Sequence, residues 1–165
     1  MKLNILQVVG YKNTGKTTVV EKIVRYLSLR YQVSSLKHHG HGGAPDLHQT
    51  DSSRHFEAGA IASGVEGDGV FYMQTNDIKV EKMLQIYELL GAEVCVIEGY
   101  KHVPYPKIVI VRNPQDYELL KKLENIHLVL TWNEEDLFKD KFLHVNDEER
   151  LREWIDDFMG GTYEH

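Results

Sequence analysis

Cysteine is almost missing. Cys95 is the only one in 165 residues, so no intramolecular disulfide can form. It sits in the apolar run Val94-Cys95-Val96-Ile97 and reads as a small buried core residue. Long apolar runs are missing too. None approaches the roughly 20 residues that span a bilayer, so no membrane partner is expected. Positive charge is not in excess: 19 Lys and Arg stand against 25 Asp and Glu, a net charge of −6. That argues against general nucleic-acid binding, which needs a basic surface to neutralise phosphates. No secretory signal is visible, because the N-terminal apolar stretch runs straight into a polar loop. A reducing cytoplasm is the expected compartment. There is no internal repeat and no low-complexity tract. The length suits one domain with a sizeable core, and a single domain over 1–165 is expected.

What is present is Gly10-Tyr11-Lys12-Asn13-Thr14-Gly15-Lys16-Thr17. Two glycines with four residues between them are followed by lysine and a hydroxyl, the spacing of a phosphate-binding P-loop. The glycines let the backbone turn tightly and approach an anion. Successive N–H groups then point inward and cradle phosphates. The Lys16 ammonium reaches the β and γ phosphates, and the Thr17 hydroxyl suits Mg²⁺. Context agrees with this reading. Residues 3–9 read as a strand, and Val19, Val20, Ile23, Val24 and Leu27 recur at helical spacing.

Further along, residues 33–36 read as a strand ending at Lys37, followed by a Gly/His loop. Asp51-Ser52-Ser53 reads as the start of a short helix. Residues 61–65 and 70–73 read as strands joined by Glu66-Gly67-Asp68-Gly69, and Asp-Gly is a hairpin signal. Asn76-Asp77 reads as the cap of a helix with Val80, Met83, Leu84, Tyr87 and Leu90 on one face, and Gly91 lies past its end. Strands follow at 94–97, 107–111, 126–131 and 142–145, with a short helix around 117–123. A final helix runs from a cap at Asn146-Asp147 and ends at Gly160-Gly161. Strands alternating with helices give an α/β fold, a mostly parallel sheet with helices on both faces. The hairpin spanning 61–75 is an antiparallel insertion that adds an edge or pairs with a second subunit.

In an open α/β sheet, ligands bind beyond the carboxyl ends of the strands. That rule gathers Lys12, Lys16, Lys37, Lys101 and Arg112 at one rim, where a polyphosphate would suit an otherwise acidic protein. Glu98 ends an apolar strand, where a carboxylate holds Mg²⁺ through water or positions an attacking water. Asp51 is a second carboxylate candidate, from a segment that could order around a γ phosphate. Its alternative is a plain helix cap. His38, His39, His41 and His48 crowd one loop, with His55 beyond. No cysteine joins them and no His-x₃-His lies on a clear helix, so a loop that bonds phosphate or pterin is favoured over a metal site.

Taken together, these stretches resemble the molybdopterin-guanine dinucleotide biosynthesis protein B (MobB) family. The likeness runs from residue 5 to about residue 114. It rests on the P-loop, Lys37-His38-His39, Asp51-Ser52-Ser53-Arg54-His55 with Ala58-Gly59-Ala60, Val96-Ile97-Glu98-Gly99-Tyr100-Lys101, and Pro106-Lys107-Ile108. The resemblance implies a homodimeric P-loop GTP-binding accessory protein that works with the molybdopterin guanylyltransferase. It implies nucleotide phosphates on Gly15, Lys16, Thr17 and Thr18, with slow hydrolysis of GTP, and Gly10, Lys12, Asn13 and Thr14 complete the expected nucleotide-binding loop. Mg²⁺ is expected near Thr17, with Glu98 or Asp51. Lys37, His38, His39, Arg54, Lys101 and Arg112 are candidate contacts to molybdopterin, its guanine dinucleotide, or phosphate.

One feature is missing. Most GTPases read guanine with Asn/Thr-Lys-x-Asp after a late strand. Here that region is Thr131-Trp132-Asn133-Glu134-Glu135-Asp136, without a lysine. Other readings are a nickel or zinc metallochaperone GTPase, suggested by the histidine loop, a P-loop small-molecule kinase, for which no clear arginine-bearing lid is found, and a nucleotide-gated adaptor without turnover.

Overall fold

The computed structural model describes residues 2–40 and 51–161. The chain divides into two compact units. The first holds the main sheet and comprises residues up to Gly40 and from Tyr87 onward. The second runs from His41 to Ile86.

The first unit is built on six strands: β1 (Asn4–Gly10), β2 (Val33–Lys37), β5 (Val94–Glu98), β6 (Lys107–Val111), β7 (Ile126–Thr131) and β8 (Phe142–His144). Their order is β2-β5-β1-β6-β7-β8, and every pairing is parallel. The central strands are apolar on both faces, as burial on both sides requires. Alternate side chains serve two cores. Leu6, Val8, Val96, Ile108, Ile110 and Leu130 pack with Val19, Ile23 and Leu27 of α1 (Lys16–Leu27) and with Leu151 and Ile155 of α5 (Glu148–Gly161). Val9, Val109, Val111 and Val129 pack with Leu119 of α4 (Glu118–Lys122) on the other face. Cys95 is fully buried in β5, as its apolar neighbours lead one to expect.

The second unit contains α2 (Asp51–Glu57), the hairpin β3 (Ala62–Gly67) and β4 (Val70–Thr75), and most of α3 (Val80–Leu89). The hairpin is a separate two-stranded antiparallel sheet and not an edge of the large one. Asp68 and Gly69 form its turn, both with positive φ. That is the turn whose twist matches the strands, and it explains the Asp-Gly.

Three local details differ from the sequence reading. Asn76-Asp77 does not cap α3. Asp77 takes a positive φ of 51°, and the amide of Met83 bonds the carbonyl of Lys79, so the helix starts two residues later. The turn at Arg112-Asn113-Pro114 continues into a short 3₁₀ helix (Pro114–Tyr117), with Asn113 and Asp116 capping it reciprocally. The last strand ends at His144, one residue short of the expected 142–145, while the last helix ends at Gly161 as read.

Candidate functional site

Because all six strands run parallel, their carboxyl ends share one edge of the sheet. β1 lies between β5 and β6, so the loop that leaves it sits where the strand order changes, the expected place for a ligand. Sequence dictates that loop closely. A Cβ on Gly10 would stand 2.7 Å from the Thr14 hydroxyl and 3.1 Å from the Ile110 carbonyl, so only glycine fits. Gly15 has φ +96° and opens α1 in the left-handed conformation. No side chain caps that helix, and its first turn carries no acidic residue. The amides of the first turn are thus left to an anion.

The loop is braced internally. The Thr14 hydroxyl donates to the Tyr11 carbonyl at 2.9 Å, and the Lys16 ammonium donates to the same oxygen at 2.6 Å. Burial lowers the Lys16 pKa below its ordinary 10.5, and this outweighs the support of Glu98. The nearby charges of Lys101 and Lys37 push it down further.

Glu98 ends β5 beside the loop and is buried. The Thr17 hydroxyl donates to its carboxylate, at 3.0 and 3.1 Å from the two oxygens. Lys37, at the end of β2, places its ammonium 3.3 Å from Glu98 Oε1 and 3.2 Å from Thr17 Oγ1. A hydroxyl and a carboxylate are the hard oxygen donors that Mg²⁺ takes. The lysine lying between them shows that the spot accepts a positive charge. The pair therefore fits the ion.

Beyond Glu98 the chain turns sharply. Gly99 and Tyr100 both have positive φ. A Cβ on Gly99 would stand 3.1 Å from the Cβ of His38. The His38 ring lies 4.4 Å from that of Tyr100, centroid to centroid. From the buried centre of β1, the Gln7 amide donates to the carbonyls of Gly99 (2.9 Å) and Tyr100 (2.8 Å). The Lys101 ammonium sits 4.3 Å from the centre of the Tyr11 ring. On the opposite flank, Arg112 donates to the Asn13 carbonyl at 3.1 Å, and the Trp132 indole donates to the Thr14 carbonyl at 3.0 Å.

A family model described as molybdopterin guanine dinucleotide synthesis protein B matches residues 5–132. The chain belongs to the MobB family. A probable molybdopterin-guanine dinucleotide biosynthesis adapter protein of Bacillus subtilis is 37% identical over 129 residues, covering 76% of this chain and 75% of the relative. The adapter protein of Haemophilus influenzae is 30% identical over 129 residues, covering 76% and 70%. The crystal structure of Bacillus subtilis MobB superposes with a TM-score of 0.79 at 31% identity, covering 94% of this chain and 97% of that one. The mostly parallel sheet with its separate hairpin is thus a MobB architecture.

Within this MobB framework the P-loop, Lys37, His38, Glu98, Lys101 and Arg112 converge on one strand-end rim, as the strand-end rule anticipates. His39 follows His38 directly in the segment after β2. Lys12 and Thr18 are exposed on the loop and on α1. Asp51 and Arg54 belong to the second unit, where they open α2 as an exposed pair 3.9 Å apart. His41 and His48 lie outside the described residues. Among the described residues no group of three or more His, Cys, Asp or Glu is arranged to hold a metal. No described helix is long and apolar enough to cross a membrane.

Sequence reasoning missed the roles of Gln7, Tyr100 and Trp132. Their hydrogen-bond partners named above lie 92 or more positions away in the chain, so no local spacing announces them. The strand-end rule was the one signal that could have singled out Trp132, which follows β7 directly.

Proposed function

We propose that this chain is an adapter of molybdopterin guanine dinucleotide biosynthesis that binds GTP with Mg²⁺ on Gly10–Thr18. The observation that carries this reading is the contact between the Thr17 hydroxyl and the Glu98 carboxylate at the mouth of a glycine-built loop. Family membership and the similarity to the two adapter proteins support the pathway. The anion is triphosphate, because Lys16, Lys37 and Lys101 bring three ammonium groups to one rim. Thr17 and Glu98 would hold Mg²⁺, which would supply positive charge against the phosphates. Lys16 moves from the Tyr11 carbonyl to the phosphates. Glu98 then orients a water, giving slow hydrolysis. The partner is the molybdopterin guanylyltransferase, and Lys37, His38, His39 and Lys101 would contact the pterin or its phosphate.

Titration of a fluorescent GTP analogue tests the site. Lys16→Ala removes a charge-assisted contact worth roughly 1.5–3 kcal/mol, so affinity falls about tenfold or more. Unchanged affinity would refute the nucleotide site.

A further inference from the structure

The phosphate end of the site has a direction. Thr17, Glu98 and Lys37 all lie on the β2–β5 flank of the loop. A nucleotide whose terminal phosphates sit there sends its nucleoside toward the β6–β7 flank. Two side chains from separate strands are fixed on that flank. Arg112, just past β6, bonds the Asn13 carbonyl, and Trp132, just past β7, bonds the carbonyl of the next residue, Thr14. The Arg112 guanidinium lies 5.2 Å from the centre of the Trp132 ring. The edge of that ring is 3.5 Å from where a Cβ on Gly15 would stand. The Arg112 backbone is held as well: the buried Asp116 carboxylate accepts the amides of Arg112 and Asn113 at 2.7 and 2.9 Å.

The carboxylate that would read guanine in the usual motif is occupied. Asp136 is buried, and it accepts from Thr131 (3.0 Å), Tyr117 and Lys139. Asn133 turns its amide to Tyr117 and to the Arg112 carbonyl.

We propose that Arg112 and Trp132 form the nucleobase subsite, with Trp132 as the stacking face and Arg112 as a donor at the base's edge, both latched to the P-loop; this rests on the nucleotide reading above. Stacking on an aromatic face tolerates any base. Arg112 adds donors only, so it favours an edge with two acceptors. Guanine O6 and N7 offer that edge, while adenine presents an amine at the same place.

The test measures GDP, ADP and pyrophosphate binding, each with Mg²⁺, to the wild type and to Arg112→Ala. The expected result is a loss of about tenfold for GDP, pyrophosphate affinity within about twofold of wild type, and a smaller GDP-over-ADP preference. Trp154 is stacked on Phe158 away from the loop, so Trp154→Phe isolates the Trp132 emission. GDP should quench that emission and pyrophosphate should not. Equal losses for GDP and pyrophosphate would make Arg112 a brace of the loop and overturn the subsite. Unchanged GDP binding in a protein that binds both ligands would also overturn it alone. A wild type that binds neither ligand would remove the nucleotide reading and this one with it.

Discussion

At the scale of single residues, Lys37 occupies the spot where the proposed Mg²⁺ would bind. Its ammonium bridges the Thr17 hydroxyl and the Glu98 carboxylate, the two oxygens suited to Mg²⁺. Ammonium and metal therefore compete. The Lys37 side chain is 60% exposed, so its pairing with Glu98 is a screened contact, worth roughly 0.2–1 kcal/mol. Lys37→Ala should lower the Mg²⁺ concentration that half-saturates the GDP complex by a few-fold, about two to five. A rise instead would mean that Lys37 assists the metal or the phosphates. Glu98 is tested in a different way. Glu98→Gln keeps the shape and removes the charge, so GTP turnover should fall further than GTP affinity. Equal turnover in the two proteins would leave Glu98 a mere partner for the Thr17 hydroxyl.

At the scale of elements, the main sheet was legible because strands buried on both faces read as unbroken apolar runs, as in Val94–Ile97 and Ile108–Val111. The P-loop was legible because its glycines answer local demands: a close approach at Gly10 and a positive φ at Gly15. The hairpin announced itself through Asp68-Gly69. What stayed hidden is set by strand order. Trp132 reaches Thr14 because β7 lies two places from β1, and nothing near residue 132 encodes that. The cap of α3 was misread because Asp77 uses its tolerance of left-handed backbone instead of its capping oxygen. The loop after β7 gives the element-scale prediction. Burial pushes the Asp136 carboxyl up, but donation by Lys139, Tyr117 and Thr131 outweighs this and holds its pKa below 3.8. Its stabilising effect is therefore present above the unfolded-state value and is lost as pH falls through the lower folded value. Asp136→Ala strands three donors around a buried gap. Urea denaturation at neutral pH should show a loss of about 2–4 kcal/mol, and the difference from wild type should shrink in acid. A loss under about 0.5 kcal/mol, typical of a plain surface change, would show that the network does not hold this loop.

At the scale of the whole molecule, the hairpin presents a problem of apolar surface. Ile61, Val65, Val70, Phe71, Tyr72 and Met73 are all exposed, with Phe71 at 62% and Tyr72 at 68%. The two faces of the ribbon differ. Ser63 donates to the Ser52 carbonyl at 2.6 Å, so the face with Ser63, Val65 and Tyr72 is the one tied to α2. Gly64, Phe71 and Met73 point the other way, and the Phe71 ring lies across Gly64. A Cβ at position 64 would stand 2.5 Å from that ring, so the glycine makes room for it. A two-stranded ribbon is marginal in water, and its outer edges carry unpaired backbone groups. We propose that a second copy of the chain covers this surface, since a two-fold axis lets one patch bury itself against its twin. Sedimentation at micromolar concentration should give a dimer. A single monomeric species would reject the model. Phe71→Asp places a charge in the middle of the patch without disturbing the Asp68-Gly69 turn, so it should shift the protein to monomer while the thermal unfolding midpoint of the main sheet holds. If Phe71→Asp sediments as the same dimer, the interface lies on another face.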